Sequence, residues 1–199
     1  GPGYPMDGAD LPAIRVSCEQ ATAFCDWLSK KIGQTASLPS EAQWEWACRA
    51  GTGTPLSYGD RDTDFSKFAN FADLQIRKLA VKGINPQPLP NPTEIEDFVP
   101  KDARFDDGVL HLGKVGSYAA NRWGLHDMHG NVAEWTSSEY RSSPQNPASA
   151  KPITRDDLWT VRGGSWGDRP MSGRSAYRWR YPAWQRVFDV GFRIVIEDK

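Results

Sequence analysis

Apolar positions recur at helical spacing early in the chain. Ala21, Phe24, Leu28 and Ile32 repeat every three or four residues, and Trp27 widens the stripe. Ser17-Cys18-Glu19-Gln20, just ahead, has the form of a capping box, in which serine and glutamine side chains satisfy each other's backbone donors at a helix start. Lys30 and Lys31 suit a helix C-terminus, and Gly33 suits a left-handed stop. The pattern predicts a helix after Ser17 whose Ala21-to-Ile32 face is core. It then repeats: Ser40-Glu41-Ala42-Gln43, after Pro39, starts a second helix that turns Trp44, Ala47 and Cys48 inward and ends before Gly51. Residues 75–103 are proline-rich and mixed in charge, which predicts an excursion without regular structure, and residues 139–157 predict a second loop. Residues 159–166, 174–180 and 190–196 have aromatic and β-branched strand content, with Gly163-Gly164 marking a bulge or close backbone approach. A small, strongly twisted antiparallel sheet is expected.

Composition narrows the function. At 199 residues the chain is most simply one domain, residues 1–199, large enough to bury its own core. Its 24 basic and 25 acidic residues are spread along the length, which argues against a nucleic-acid or anionic-membrane partner. The longest apolar runs fall far short of the roughly 20 residues a membrane span needs. Cys18, Cys25 and Cys48 form neither a CxxC pair nor an even set, which argues against a disulfide framework and a cysteine zinc site and favours a reducing, cytoplasmic setting, a signal upstream of Gly1 being the alternative. Nine Trp, fifteen Pro and eighteen Gly point to a loop-rich domain with aromatic clusters, not a helical bundle.

Three blocks are more specific: GLHDMHGNVAEW from Gly124 to Trp135, RGGSW from Arg162 to Trp166, and GFR from Gly191 to Arg193. With VSCEQATAFCDWLSKK and LPSEAQWEWACRAG upstream, they resemble the formylglycine-generating-enzyme, or sulfatase-modifying-factor, family; Cys18 stands where the family usually has tryptophan. The resemblance runs from about Ile14 to Val195. It implies an α+β, C-type-lectin-like fold. It also implies that the family's N-terminal portion is missing: the sequence is a fragment or a processed chain, whose fold an upstream segment or a partner chain would complete, or a shortened variant that closes its sheet differently.

The residues Asp127-x-x-Gly130-x-Val132-x-Glu134 place two carboxylates around a glycine turn with backbone carbonyls between them, a mixture that suits a hard cation such as calcium. The other reading is a tight turn in which Glu134 accepts backbone N–H groups. The resemblance favours calcium, held by the side chains of Asp127 and Glu134 and the carbonyls of Gly130 and Val132. It also implies a second calcium site from the side chains of Asn70 and Asp107 with the carbonyls of Phe71 and Val109, the other reading there being an Asp-Gly turn. One or two calcium ions are expected.

The resemblance also locates where the family's chemistry should be. Its enzymes oxidise a substrate cysteine to formylglycine with copper held by two thiolates, and soft Cu(I) requires such ligands. Those cysteines fall three and eight residues after the serine of GGS; here the serine is Ser165 and the positions are Asp168 and Gly173. No copper and no catalytic residue are therefore expected. His126 and His129 form an H-x-x-H, with His111 elsewhere, and read as turn residues more readily than as a metal site; no nucleophile elbow surrounds Ser165.

Residues 167–189 intersperse arginines with aromatic residues, the types enriched at binding hot spots. Ser165, Asp168, Arg169, Arg174, Tyr177, Trp179, Arg180, Tyr181 and Trp184 are the candidate ligand surface, for a protein, peptide or glycan. The plainer reading is strand alternation, with one face packed and the other solvated. The expected function is a calcium-stabilised, non-catalytic binding or scaffold module. The alternatives are an enzyme of different, non-copper chemistry on the same scaffold, and a retroelement-type variable ligand-binding protein.

Overall fold

Both capping boxes form. Ser17 Oγ accepts from the backbone N–H of Gln20 while Gln20 Oε1 accepts from that of Ser17, and Ser40 and Gln43 repeat the exchange. They start α1 (Cys18–Ile32) and α2 (Glu41–Arg49) in a computed structural model that describes residues 6–82, 85–88, 100–142 and 157–197. Left-handed residues end both helices, Gly33 after α1 and Ala50 after α2. Between them lies β1 (Ala36–Ser37).

The face of α1 that is buried differs from the one predicted. Cys18, Ala21 and Cys25 are buried, whereas Phe24 and Trp27 are 42% and 52% exposed and Ile32 is also exposed. The reason lies in what the helix meets. Its small side chains pack in one cluster with Trp135, whose indole N–H donates to Val16 O at 2.9 Å, so the helix approaches the sheet along its narrow side. Phe24 instead sits at the edge, its ring 5.5 Å from both Trp27 and Phe192. On α2 the prediction holds: Trp44 and Cys48 are fully buried and Ala47 packs against them.

Residues 79–88, read as part of an irregular excursion, contain a short antiparallel ladder of β2 (Leu79–Lys82) with β3 (Asn85–Pro88). The rest of that proline-rich stretch, 89–99, and most of the predicted second loop, 143–156, lie outside the described residues.

The main sheet has four strands in the order β6-β5-β4-β7. β4 (Ala133–Glu139) is central, antiparallel to β5 (Leu158–Arg162) and parallel to β7 (Val190–Phe192). The sheet is thus mixed where an antiparallel one was expected. β6 (Trp179–Pro182) begins five residues later than the 174–180 prediction, because residues 174–178, after the turn of 3₁₀ helix at Pro170–Gly173, are bend, turn and irregular chain. A separate pair joins β1 to β8 (Val195–Ile196). Helix α1 packs on the face of the main sheet that carries Ala133, Trp135 and Val161, and α2 on the opposite face, which carries Glu134 and Arg162; with much irregular chain this makes the expected α+β fold.

Candidate ligand pocket and metal sites

β5 ends at Arg162, and Gly163 and Gly164, both at positive φ, turn the chain so that Ser165 is fully buried. The turn docks on the neighbouring loop: Gly163 O accepts from Gly130 N, and Trp166 N donates to Asn131 O, each at 3.0 Å. Ser165 Oγ lies 3.0 Å from Asp168 Oδ2 and 2.7 Å from Asp189 Oδ2. A hydroxyl carries one proton, so both contacts are satisfied only when one carboxyl is itself protonated and donates. Burial pushes both carboxyls above the usual carboxylate range; Asp168 gains some relief from Ser165, while its charge raises Asp189 further.

The two carboxyls open on a cavity of about 230 Å³ floored by Ala133 and Val190 and walled by Trp179, Tyr181 and Phe188. Of the predicted ligand surface, the structure brings Ser165, Asp168, Trp179 and Tyr181 to this one place. The period-two alternation of β6 sends Arg180 to the other face, where its guanidinium carbon lies 4.8 Å from the Tyr140 ring centroid. Arg174 donates to Met171 O and covers Tyr177, while Arg169 and Trp184 are exposed. Asp189 and Phe188 were missed by sequence reasoning. They stand in a turn just before β7, between the arginine- and aromatic-rich segment and the GFR block, and the parallel pairing of β7 with β4 carries them to Ser165.

The expected metal ligands form two neighbouring clusters. In the first, Asn70 is almost wholly buried; its Nδ2 donates to His111 O at 2.6 Å, and its Oδ1 is buried with no partner. Asp107 accepts from Val109 N through Oδ1 and from Tyr118 Oη through Oδ2, and its own N–H donates to Asp73 Oδ2. Burial and the charge of Asp73 push Asp107 up to about 7. In the second cluster Asp127, at φ 55, accepts from Gly116 N through Oδ2 while its buried Oδ1 has no partner.

Glu134 does not accept the backbone N–H groups of the tight-turn reading. Its Oε2 receives the Trp44 indole N–H at 2.6 Å and Arg193 Nε at 2.5 Å, and its Oε1 receives Arg193 Nη2 at 2.7 Å. Gly130 ties the clusters together, paired with Asn70 so closely that a β-carbon would fall 2.2 Å from Asn70 O. An orphaned, buried oxygen on Asn70 and another on Asp127 fit a hard cation, because such an atom loses its hydration without recompense. Glu134 fits less well, its charge being already matched by Arg193. Among the described residues no group of three or more His, Cys, Asp or Glu is arranged to hold a metal ion, so a cation here must draw on amide and carbonyl oxygens as well.

Comparison with known proteins resolves the origin of these motifs. Residues 4–198 match the model of the sulfatase-modifying factor enzyme 1-like domain. The chain belongs to that family. It is 29% identical over 84% of its length to the inactive C-alpha-formylglycine-generating enzyme 2 of Mus musculus, covering 42% of that protein. To the formylglycine-generating enzyme of Mycobacterium tuberculosis it is 28% identical over 80% of its length, covering 47%. The chain thus spans less than half the length of these curated relatives. Among solved structures, PvdO from Pseudomonas aeruginosa superposes with a TM-score of 0.71 at 27% identity, over 98% of this chain and 66% of that one. Active and inactive relatives are equally similar, so overall identity does not separate them.

Within this sulfatase-modifying factor domain, the two positions where the family's copper thiolates were expected are closed differently. Asp168 is engaged with Ser165, as described. Gly173 lies under Phe71, where a β-carbon would fall 2.1 Å from ring Cζ. The three cysteines are all buried and far from both positions in sequence. Cys48 Sγ contacts Met128 O, Ser175 Oγ and His129 Nε2, and burial pushes its thiol up to about 12. His129 accepts from Ser57 N through Nε2 and therefore donates Nδ1–H to Gly173 O at 2.8 Å; burial holds it neutral, down to about 4. His126 turns away to Tyr118 O, and His111 packs on Trp166. The H-x-x-H residues thus serve different contacts.

Proposed function

We propose that this sulfatase-modifying factor domain does not generate formylglycine and acts as a ligand-binding module, with the cavity beside Ser165 as its binding site. The observation that carries the reading is the pair of replaced positions: a carboxylate that cannot serve Cu(I) at Asp168, and a glycine sealed by Phe71 at Gly173. Calcium supports the loops. Asn70 and Asp107, with the Phe71 and Val109 carbonyls, would hold one ion; Asp127, with the Gly130 and Val132 carbonyls and a shared Glu134, would hold another. Bound calcium supplies positive charge to buried oxygens, and it stabilises the fold by binding the native state alone.

The test has two arms. Purified domain incubated with a cysteine-containing sulfatase-type peptide, Cu(I) and reductant should leave the cysteine unmodified by mass spectrometry; an aldehyde product overturns the non-catalytic reading. Tryptophan fluorescence titrated with short peptides of positive, neutral and negative charge should respond to at least one class, and no response to any overturns the binding role.

A second reading has one observation in its favour. Two carboxyls of raised proton affinity sharing a serine can hold and move a proton, as an acid–base enzyme of non-copper chemistry requires. Turnover of a ligand captured in the cavity, lost in Asp189→Asn, would select it.

A further inference from the structure

The cavity beside Ser165 contains an imbalance that points to a ligand class. Asp168 and Asp189 each spend Oδ2 on Ser165, and among the described residues neither has a salt bridge; apart from Ser165, the backbone N–H of Asp189 is the further hydrogen-bonding group that relieves its own carboxyl. By contrast Glu134 is matched by Arg193 and the half-buried Glu41 by Arg162 and Arg178, whereas Asp73 and Asp107 at the first candidate cation cluster are also without arginine among the described residues. Two carboxyls half removed from water without a cation are costly in their ionised form. The walls add a second, independent preference. Trp179, Tyr181 and Phe188 present three aromatic rings to the same space, and Phe188 is 52% exposed at the rim, an apolar ring left for something to cover.

We infer that the cavity takes an organic cation, the ammonium or guanidinium end of a lysine- or arginine-like side chain, with its charge on Asp168 and Asp189 and its aliphatic stem between Trp179, Tyr181 and Phe188. This rests on the reading of that cavity as the ligand site. Charge-assisted hydrogen bonds to the carboxyl oxygens and cation–π attraction to the rings act on the same group. Size agrees: about 230 Å³ is below the roughly 300–1,000 Å³ of pockets that enclose whole small molecules, and suits the end of a side chain. A metal ion is the poorer fit. Calcium wants six to eight oxygens, and two carboxyls walled by hydrocarbon rings offer too few. Binding is linked to protons, because the cation replaces the proton the pair otherwise holds; affinity rises with pH as the pair ionises.

The indole N–H of Trp179 has no partner among the described residues and gives an NMR reporter, assigned by its loss in Trp179→Phe. The intact 199-residue chain is titrated with Nα-acetyl-lysine methylamide, its neutral isostere Nα-acetyl-norleucine methylamide, and calcium chloride alone. The lysine probe should saturate the Trp179 shift at a concentration at least tenfold lower than norleucine, and Asp168→Asn with Asp189→Asn should abolish that preference. In the unmodified protein, which does not depend on a variant folding, lysine affinity should rise from pH 5 to pH 8 while norleucine affinity stays flat. Equal binding of the two organic probes overturns the cation assignment but leaves the cavity a ligand site. No shift with any probe overturns both. The same shift from calcium alone, competing with lysine, overturns the organic cation in favour of a metal.

Discussion

Arg193 grips Glu134 through two nitrogens, Nε at 2.5 Å from Oε2 and Nη2 at 2.7 Å from Oε1, and the same Nη2 reaches the carbonyl of Asp127 at 3.3 Å. A guanidinium therefore already sits at the second candidate cation cluster, whereas Asp107 and Asp73 in the first have no cation beside them among the described residues. The first should be the stronger calcium site. Calcium should raise the melting temperature, Asp107→Asn should remove most of that increment, and Asp127→Asn less. The comparison uses the calcium-dependent increment in each variant, so the variants' own destabilisation drops out. Equal melting with calcium and with excess chelator would sink the calcium reading.

The sign of its pH dependence follows from Asp107. Its folded-state proton affinity lies at about 7, above the unfolded carboxylate value, so the group's favourable contribution is complete in acid and is lost as pH rises through about 7. Calcium requires the ionised form and must displace that proton. The increment in melting temperature from calcium should therefore be small at pH 5 and larger at pH 8, by calorimetry at matched ionic strength. A larger increment in acid would contradict the assignment.

Phe71 and Gly173 set what engineering could recover. Gly173→Cys should destabilise the domain by about 1–3 kcal/mol through overpacking, read from urea unfolding. Asp168→Cys with Gly173→Cys should bind Cu(I) poorly, and adding Phe71→Ala should improve binding by opening room for the second thiolate. The carbonyl of residue 71, the part expected to meet calcium, survives that change.

The native cysteines should be silent. Burial raises all three thiols, Cys18 and Cys48 to about 12, so almost no thiolate forms at neutral pH. Ellman's reagent should find no fast-reacting thiol in the folded protein and three after denaturation. A rapid native reaction at Cys48 would mean that its contact with His129 activates it.

Much of this was legible locally. The two capping boxes are short-range hydrogen-bond devices, and both formed where Ser17 and Ser40 predicted them. The choice of buried face on α1 was not legible, because apolar residues occupy more than one face and the small side chains of Cys18, Ala21 and Cys25 win only once Trp135 is known to lie opposite. Asp168 could be singled out from a motif. Its partner Asp189 could not, because a parallel pairing between β4 and β7 joins segments more than fifty residues apart. Orphaned oxygens such as Asn70 Oδ1 are a property of packing, with no trace in residue order. The mixed sheet was missed for the same reason: strand content shows in sequence, and direction of pairing does not.

The two-residue pairing of β1 with β8 sets an order of events during synthesis. Among the described residues Ala36 finds its strand partner in Ile196, so β1 stays open until β8, at the other end of the domain, has been made. β4, at the centre of the main sheet, likewise waits for Val190 to Phe192. Helices α1 and α2 can form early, yet Trp135 and the β7 edge that shelter them arrive late. The domain closes through contacts of high sequence separation that are slow to form, and removing β8 would leave β1 without its strand partner.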